Sequence, residues 1–172
     1  RRLNPPPVMN SRLTVNLRRA VPADAATALS WSPDLAALKR WAGPSARWPE
    51  DPAQFWSDLT RGDFVTFALD SSTDGQVGFG QLKLREPAFA HLARIVVDPR
   101  QRGKGYGRML CAALMREAPA LFPIDGFSLF VFRDNPVAIA LYESLGFTRQ
   151  GPHEQHPDIE LMTAPLAAAR AG

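Results

Sequence analysis

Apolar positions change their spacing several times along the chain, and each change marks an element. Leu13-Thr14-Val15-Asn16-Leu17 alternates apolar with polar residues, the period of a half-buried strand. Pro22-Ala23-Asp24 opens an Ala-rich helix reaching Trp31. A second helix is expected from Pro33, with Leu35, Leu38 and Trp41 on one face, and Gly43-Pro44 breaks it. Pro52 begins a third, carrying Phe55, Trp56 and Leu59. Strands are then expected over 64–69 and 77–84, joined as a hairpin by a turn at 71–75, and over 92–97 once Glu86-Pro87 has closed the previous one. A helix from Gly105 to about Ala118 puts Leu110, Leu114 and Ala118 on a core stripe flanked by Cys111 and Met115, with Pro119 and Pro123 ending it. Phe127-Ser128-Leu129-Phe130-Val131-Phe132 is nearly all apolar, as in a central strand covered on both faces. Asn135 suits an N-cap, Pro136 a first helical position and Gly146 a C-terminal stop, which predicts a short helix over 136–145. The last strand is expected over 158–162, with a loosely held tail after it.

These elements predict one α/β domain over residues 13–166. Residues 1–12, with Pro5-Pro6-Pro7 and no periodicity, read as extended or disordered, and Met9 is a candidate start. Residues 167–172 complete the tail.

The stretch that joins two of the elements carries the chemistry. Ile95-Val96-Val97-Asp98-Pro99 leaves a strand and runs into Arg100-Gln101-Arg102-Gly103-Lys104-Gly105-Tyr106-Gly107-Arg108, a basic glycine-rich loop opening a helix. Glycines let backbone N–H groups approach a ligand, and a helix N-terminus supplies unpaired donors with partial positive charge. Arg102, Lys104 and Arg108 add full charges, so the loop suits a phosphate. It is not a P-loop, because Gly105 follows Lys104 where Ser or Thr is required. It is not a dinucleotide fingerprint either, since that pattern needs its third glycine one residue later than Gly107.

The run from Val97 to Gly107, with Arg-x-x-Gly-x-Gly after Val-Asp-Pro, resembles the acetyl-CoA signature of the GNAT superfamily of N-acyltransferases. Asn135-Pro136-Val137-Ala138-Ile139-Ala140-Leu141-Tyr142-Glu143-Ser144-Leu145-Gly146-Phe147 resembles that superfamily's second signature, in the right order and spacing. The resemblance covers residues 91–151 well and the first half loosely. It implies a mixed, mostly antiparallel twisted sheet of six or seven strands with helices on both faces. In that fold the sheet splays between the strands at 92–97 and 127–132, and acetyl-CoA enters the gap as cosubstrate. The implied reaction is acetyl transfer to a primary amine, of a small molecule or a protein, through a ternary complex. A non-catalytic acyl-CoA-binding regulatory module is the alternative.

The resemblance also distributes roles. Amides and charges of Arg102, Gly103, Lys104, Gly105, Tyr106, Gly107 and Arg108 would hold the pyrophosphate, with Asn135 also on the cofactor side. The main chain of Ile95, Val96 and Val97 would pair with the pantetheine arm, and an N–H near Val97 would face the developing oxyanion. Tyr142 would protonate, or only hydrogen-bond, the departing sulfur. His91 stands where relatives carry a base and is predicted to give an inflection near its reference pKa of about 6.5; Glu86 or a water wire are the other sources. His153 and His156 fall in a Pro-flanked loop, read as surface that could border the acceptor site. The tryptophans at 31, 41, 48 and 56 read as core of a helical subdomain or as acceptor lining.

Composition narrows the remaining choices. Net charge of +3 is compatible with a polyanionic ligand but too mild to indicate nucleic acid. No apolar run approaches the roughly 20 residues of a membrane span. Cys111 is a lone cysteine, so neither a disulfide framework nor a cysteine-based metal site is expected, and a reducing cytoplasm is the default. No metal is predicted, and the oligomer is expected to be a monomer or homodimer.

Overall fold

In the computed structural model, residues 13–171 are described, so the reading of residues 1–12 lies outside them. Seven strands form one sheet, β1 Val15–Arg19, β2 Val65–Ser71, β3 Gly75–Arg85, β4 Phe89–Val97, β5 Gly126–Phe132, β6 Thr148–Pro152 and β7 Ile159–Pro165, in the order β1-β2-β3-β4-β5-β7-β6. Every neighbouring pair is antiparallel except β4 and β5. The helices are α1 Pro22–Ser30, α2 Leu35–Ala42, α3 Pro52–Thr60, α4 Tyr106–Leu121 and α5 Pro136–Ser144.

Local chemistry sets most helix starts. Asp34 accepts from the Ala37 N–H at 2.8 Å, which starts α2 two residues after the expected Pro33. Asp51 does the same for α3 through the Gln54 N–H at 2.8 Å, with Pro52 in its first turn. Asn135 caps α5 through the Ala138 N–H at 3.2 Å, and Gly146 follows its end at φ +92°, as the sequence predicts. Pro119 does not end α4. It lies one turn from the terminus, where the missing N–H removes a single bond and the Phe122 N–H still closes on the Ala118 carbonyl at 3.0 Å.

The two faces of the sheet carry separate cores. On one, α4 lays Leu110, Leu114 and Ala118, all fully buried, together with Cys111 and Met115, against β-sheet residues including Phe127 and Leu129. On the other, α1, α2 and α3 gather Ala25, Leu38, Phe55 and Leu59 around Phe79 and Val96. Glycines on β3 set how closely α4 approaches. A Cβ on Gly80 would stand 2.9 Å from Ile95 Cδ1 and 3.0 Å from Leu114 Cδ1.

Several strands differ from the sequence reading, among them β2 and β3, which extend to Ser71 and from Gly75. β4 begins at Phe89, because parallel pairing with β5 starts there, opposite Gly126. β7 continues to Pro165 under the same logic, since its partner β5 extends to Gly126. β6 has no counterpart among the predicted strands. It is short, polar and mostly exposed, and only its pairing with β7 makes it a strand. The tail also departs from its loose description, as Leu166–Arg170 forms a 3-10 turn that packs Ala168 and Ala169 on the core.

Candidate active site

β4 and β5 are paired from Phe89↔Gly126 only as far as Leu92↔Leu129. Beyond that point the two strands part, and the β5-facing side of β4 from Ala93 to Val97 has no strand beside it. The separation opens a cleft of about 310 Å³, reached by Ile95 on β4, Phe130 and Phe132 on β5, Asn135 and Tyr142 on α5, and the end of α2. This is the splay that the resemblance implies.

The glycine-rich loop stands at the end of β4. Asp98 accepts from the Arg100 backbone at 3.0 Å and from its guanidinium at 2.8 Å, which turns the chain through a 3-10 turn over Pro99–Gln101. Arg100 is occupied by that pair, whose guanidinium holds the Asp98 carboxyl below the usual carboxylate range. Gly103 and Gly105 follow at φ +78° and +87°, a region that residues with a side chain rarely adopt. Nothing lies within 4 Å of a Cβ built on Gly103, and only Met109 Cε, at 3.8 Å, approaches one on Gly105. Gly105 is the N-cap of α4 and offers no side chain to cap it, so the first-turn N–H groups are available to an anion. Arg102 is exposed beside the loop. Lys104 reaches Gln101 Oε1 at 2.6 Å, and Arg108 reaches Ser144 Oγ at 2.6 Å, tying α4 to α5.

Two residues of this loop serve other purposes. Tyr106 is 1% exposed, and its hydroxyl donates to Ser71 Oγ at 2.9 Å and Asp74 Oδ2 at 3.1 Å. Its ring anchors the start of α4 to the β2–β3 hairpin, so only its main chain can face a cofactor. A Cβ on Gly107 would come 3.1 Å from Leu141 Cδ1, so this glycine lets α5 pack against α4.

Tyr142 is 9% exposed and lines the cleft, with its ring edge-on to Phe147 at 6.0 Å. Among the described residues its hydroxyl has no hydrogen-bond partner, and burial pushes its pKa upward, so the phenol stays protonated. Cys111 is sealed in the core, its thiol pushed up to about 12 by burial.

His91 lies in the wall of the cleft. Its Nδ1 is 2.8 Å from Ser128 Oγ across the paired part of β4 and β5, and its ring is edge-on to Phe130 at 4.9 Å. Burial, with Arg85 and Lys83 nearby, lowers its pKa to about 3. A neutral histidine this reluctant to take a proton is a weak base, which disfavours the role predicted for it. Glu86 is exposed at the turn before β4 and does not line the cleft.

Residues from other parts of the chain complete the wall. His153 stacks edge-on to Phe130 at 4.8 Å and lies 5.2 Å from His156, and both histidines face the cleft. The pairing of β6 with β7 brings their loop there. His153 Nδ1 accepts the Gln155 N–H at 3.1 Å. Arg40 reaches the mouth, its guanidinium 4.7 Å above the Phe132 ring and paired with Asp134 at 2.7 Å. Arg94 enters from β4. The one available signal for it is a charge interrupting the apolar run 92–97. Of the tryptophans, Trp41 lines the cleft and is held by its indole N–H to Ser32 Oγ at 2.9 Å; Trp31 is core and Trp48 is exposed. Among the described residues no group of His, Cys, Asp and Glu has metal-site geometry. No described helix is long and apolar enough to cross a membrane.

Fold and site together define an α/β protein with a ligand cleft between parted strands of one sheet and a phosphate-type loop at its end. The chain belongs to the acetyltransferase (GNAT) family, whose model matches residues 35–147. It is 37% identical over 105 residues to a mycothiol acetyltransferase of Kocuria rhizophila, covering 58% of this chain and 34% of that protein. It is 35% identical over 60 residues to a spermine/spermidine N(1)-acetyltransferase of Bacillus subtilis, covering 35% of this chain and 40% of that one. The chain thus spans about a third of the length of the mycothiol acetyltransferases it matches. The spermidine N-acetyltransferase of Vibrio cholerae, solved in complex with CoA and spermine, superposes with a TM-score of 0.73 at 17% identity, over 91% of this chain and 98% of that one. At that identity the likeness concerns the fold.

Proposed function

We propose that the protein transfers an acetyl group from acetyl-CoA to a primary amine, with both substrates bound together. The observation that carries this reading is the parting of β4 from β5 after Leu92↔Leu129, next to Tyr142. It leaves a strand edge able to take an extended amide-containing arm, with the open loop at Gly103 and Gly105 following its end through the 3-10 turn Pro99–Gln101.

The residues fit acetyl-CoA in three places. The first-turn amides of α4, with Arg102, Lys104 and Arg108 around them, hold the pyrophosphate. The main chain of Ile95, Val96 and Val97 pairs with the pantetheine arm and presents an N–H where negative charge develops on the acyl oxygen. Asn135, fixed as the cap of α5, lines the same cleft. The bound thioester supplies the activated acyl carbon.

The chain's own residues then manage protons. Tyr142 Oη, protonated and free of other partners among the described residues, donates to the departing sulfur. A phenol whose pKa burial has raised is a poor acid, so its contribution is a hydrogen bond that stabilises the thiolate more than a full proton transfer. On the acceptor side His91 stays neutral, and its Nδ1 is engaged with Ser128. The amine's proton therefore leaves through water in the cleft rather than to His91 directly.

The test is release of free CoA thiol from acetyl-CoA with a panel of primary amines. Acceptor-dependent thiol release with formation of the N-acetyl product is the expected result. Two observations favour the regulatory alternative: among the described residues the cleft lining contains no carboxylate, and burial lowers the pKa of His91. Acetyl-CoA binding by calorimetry without thiol release for any amine would support that module instead.

A further inference from the structure

We infer that Arg94 selects an acceptor amine that also carries an oxyanion such as a carboxylate, and that polyamines are poor acceptors. The inference rests on the acetyltransferase reading and names the acceptor class of the same cleft.

The backbone delivers this side chain in an unusual way. Phe79 pairs with Val96 and Gln81 with Ala93, so Arg94 and Ile95 both stand opposite Gly80. This bulge puts Arg94 at φ +53°, the single non-glycine residue with positive φ among those described. Left-handed backbone is disfavoured for a residue with a long side chain, and a bulge re-aims the side chain it carries. Here the side chain lines the cleft beside Phe64 and the end of α2, with its guanidinium 4.5 Å over the Phe64 ring.

The donors of that guanidinium are only partly used. Nη1 donates to the Leu59 carbonyl at 2.9 Å and to Gln81 Oε1 at 2.7 Å, and Nε reaches the Ala42 carbonyl at 3.5 Å. These bonds fix the plane of the group between the ends of α2 and α3. Nη2 has no partner among the described residues. Among the described residues no sealed side-chain nitrogen or oxygen is left unpartnered, so Nη2 keeps some solvent exposure, and Arg94 lines the cleft. Among the described residues every acceptor that Arg94 meets is neutral, and no carboxylate forms an ion pair with it. A half-buried positive charge held rigidly in the wall of a ligand cleft, without a counter-ion and with one N–H pair unused, suits an oxyanion.

Among the described residues the charged side chains that line the cleft are Arg40 and Arg94, with no Asp or Glu. Asp134 sits outside and pairs with Arg40. A polyamine would bring a second ammonium into this wall with nothing to neutralise it, a cost that like charges in a partly desolvated site make large. An amine with an acidic group reverses that sign. A purely structural role for Arg94 accounts for Nη1 and Nε, but not for the free Nη2 or for the missing counter-ion.

The experiment compares matched acceptors under saturating acetyl-CoA. Glycine, β-alanine and 4-aminobutyrate are each set against their own amide, with spermidine alongside, and kcat/KM is measured from CoA release at matched concentrations of the unprotonated amine. The best acid should exceed its amide and spermidine on the order of tenfold to hundredfold, the range of one charge-assisted hydrogen bond. Amides or spermidine as good as the acids would overturn the inference while leaving acetyl transfer intact. Arg94→Gln should bring the acid-to-amide ratio close to one, chiefly through KM. A variant that lowers both acceptors equally shows a structural role only and overturns the inference. Where that variant fails to fold, or where no amine releases CoA, the native protein loaded with CoA decides. Its Arg94 Nε–H NMR signal should shift saturably with β-alanine and not with β-alaninamide, and no saturable shift would refute the assignment.

Discussion

His91 Nδ1 lies 2.8 Å from Ser128 Oγ, one residue before the point at which β4 and β5 separate. The pair closes the bottom of the cleft with an uncharged hydrogen bond. With His91 lowered to about 3, the folded state resists a proton that the unfolded chain accepts near 6.5. The contribution is therefore complete above about pH 6.5 and is lost as pH falls from there towards 3. Urea unfolding at pH 7, 6 and 5 should show stability falling by roughly 1 kcal/mol per pH unit from this group. His91→Gln, which keeps a polar partner for Ser128, should flatten that slope. The same variant should leave the shape of the pH–turnover profile unchanged; loss of an inflection near pH 6.5 would restore His91 as the base.

Tyr142→Phe removes a hydroxyl without a partner among the described residues and keeps the ring against Phe147. Its stability should stay within about 0.5 kcal/mol of the native protein. Turnover should fall by about tenfold or more, because the thiolate loses its donor. Full turnover of the variant across the pH range would remove Tyr142 from the reaction.

Gly105 has a left-handed backbone and open space where a side chain would begin. Asparagine tolerates that backbone better than other residues do. Gly105→Asn should therefore fold while placing its amide where the pyrophosphate binds, and calorimetry should show acetyl-CoA affinity lowered by at least about tenfold. Normal binding by a folded variant would show that the phosphate lies elsewhere.

Asn135 holds the first turn of α5 through the Ala138 N–H at 3.2 Å. Asn135→Ala should cost about 0.5–2 kcal/mol, read from denaturant unfolding. Because α5 also carries Tyr142, turnover should fall with stability, whereas Tyr142→Phe separates the two.

What could be read from the sequence is what neighbouring residues decide among themselves. Asn135, Pro136 and Gly146 specify the ends of α5 within one segment, and Leu110, Leu114 and Ala118 declare the buried face of α4 by spacing alone. The glycine loop announces open backbone donors for the same reason, since Gly103 and Gly105 take conformations that other residues avoid. Tertiary structure decided what depends on partners distant in the chain. β6 is a strand only because β7 lies beside it, and that pairing carries His153 and His156 into the cleft. Tyr106, in the middle of the loop, turns inward because Ser71 and Asp74 meet its hydroxyl. Burial against Ser128 and Phe130 lowers the pKa of His91 and sets it in the wall of the cleft. Arg94 becomes a candidate receptor only through its bulge opposite Gly80 and the carbonyls of Ala42 and Leu59, three partners distant from it in sequence. Hydrogen-bond geometry and desolvation are set by the atoms that surround a side chain in space, and residue order alone does not specify those surroundings.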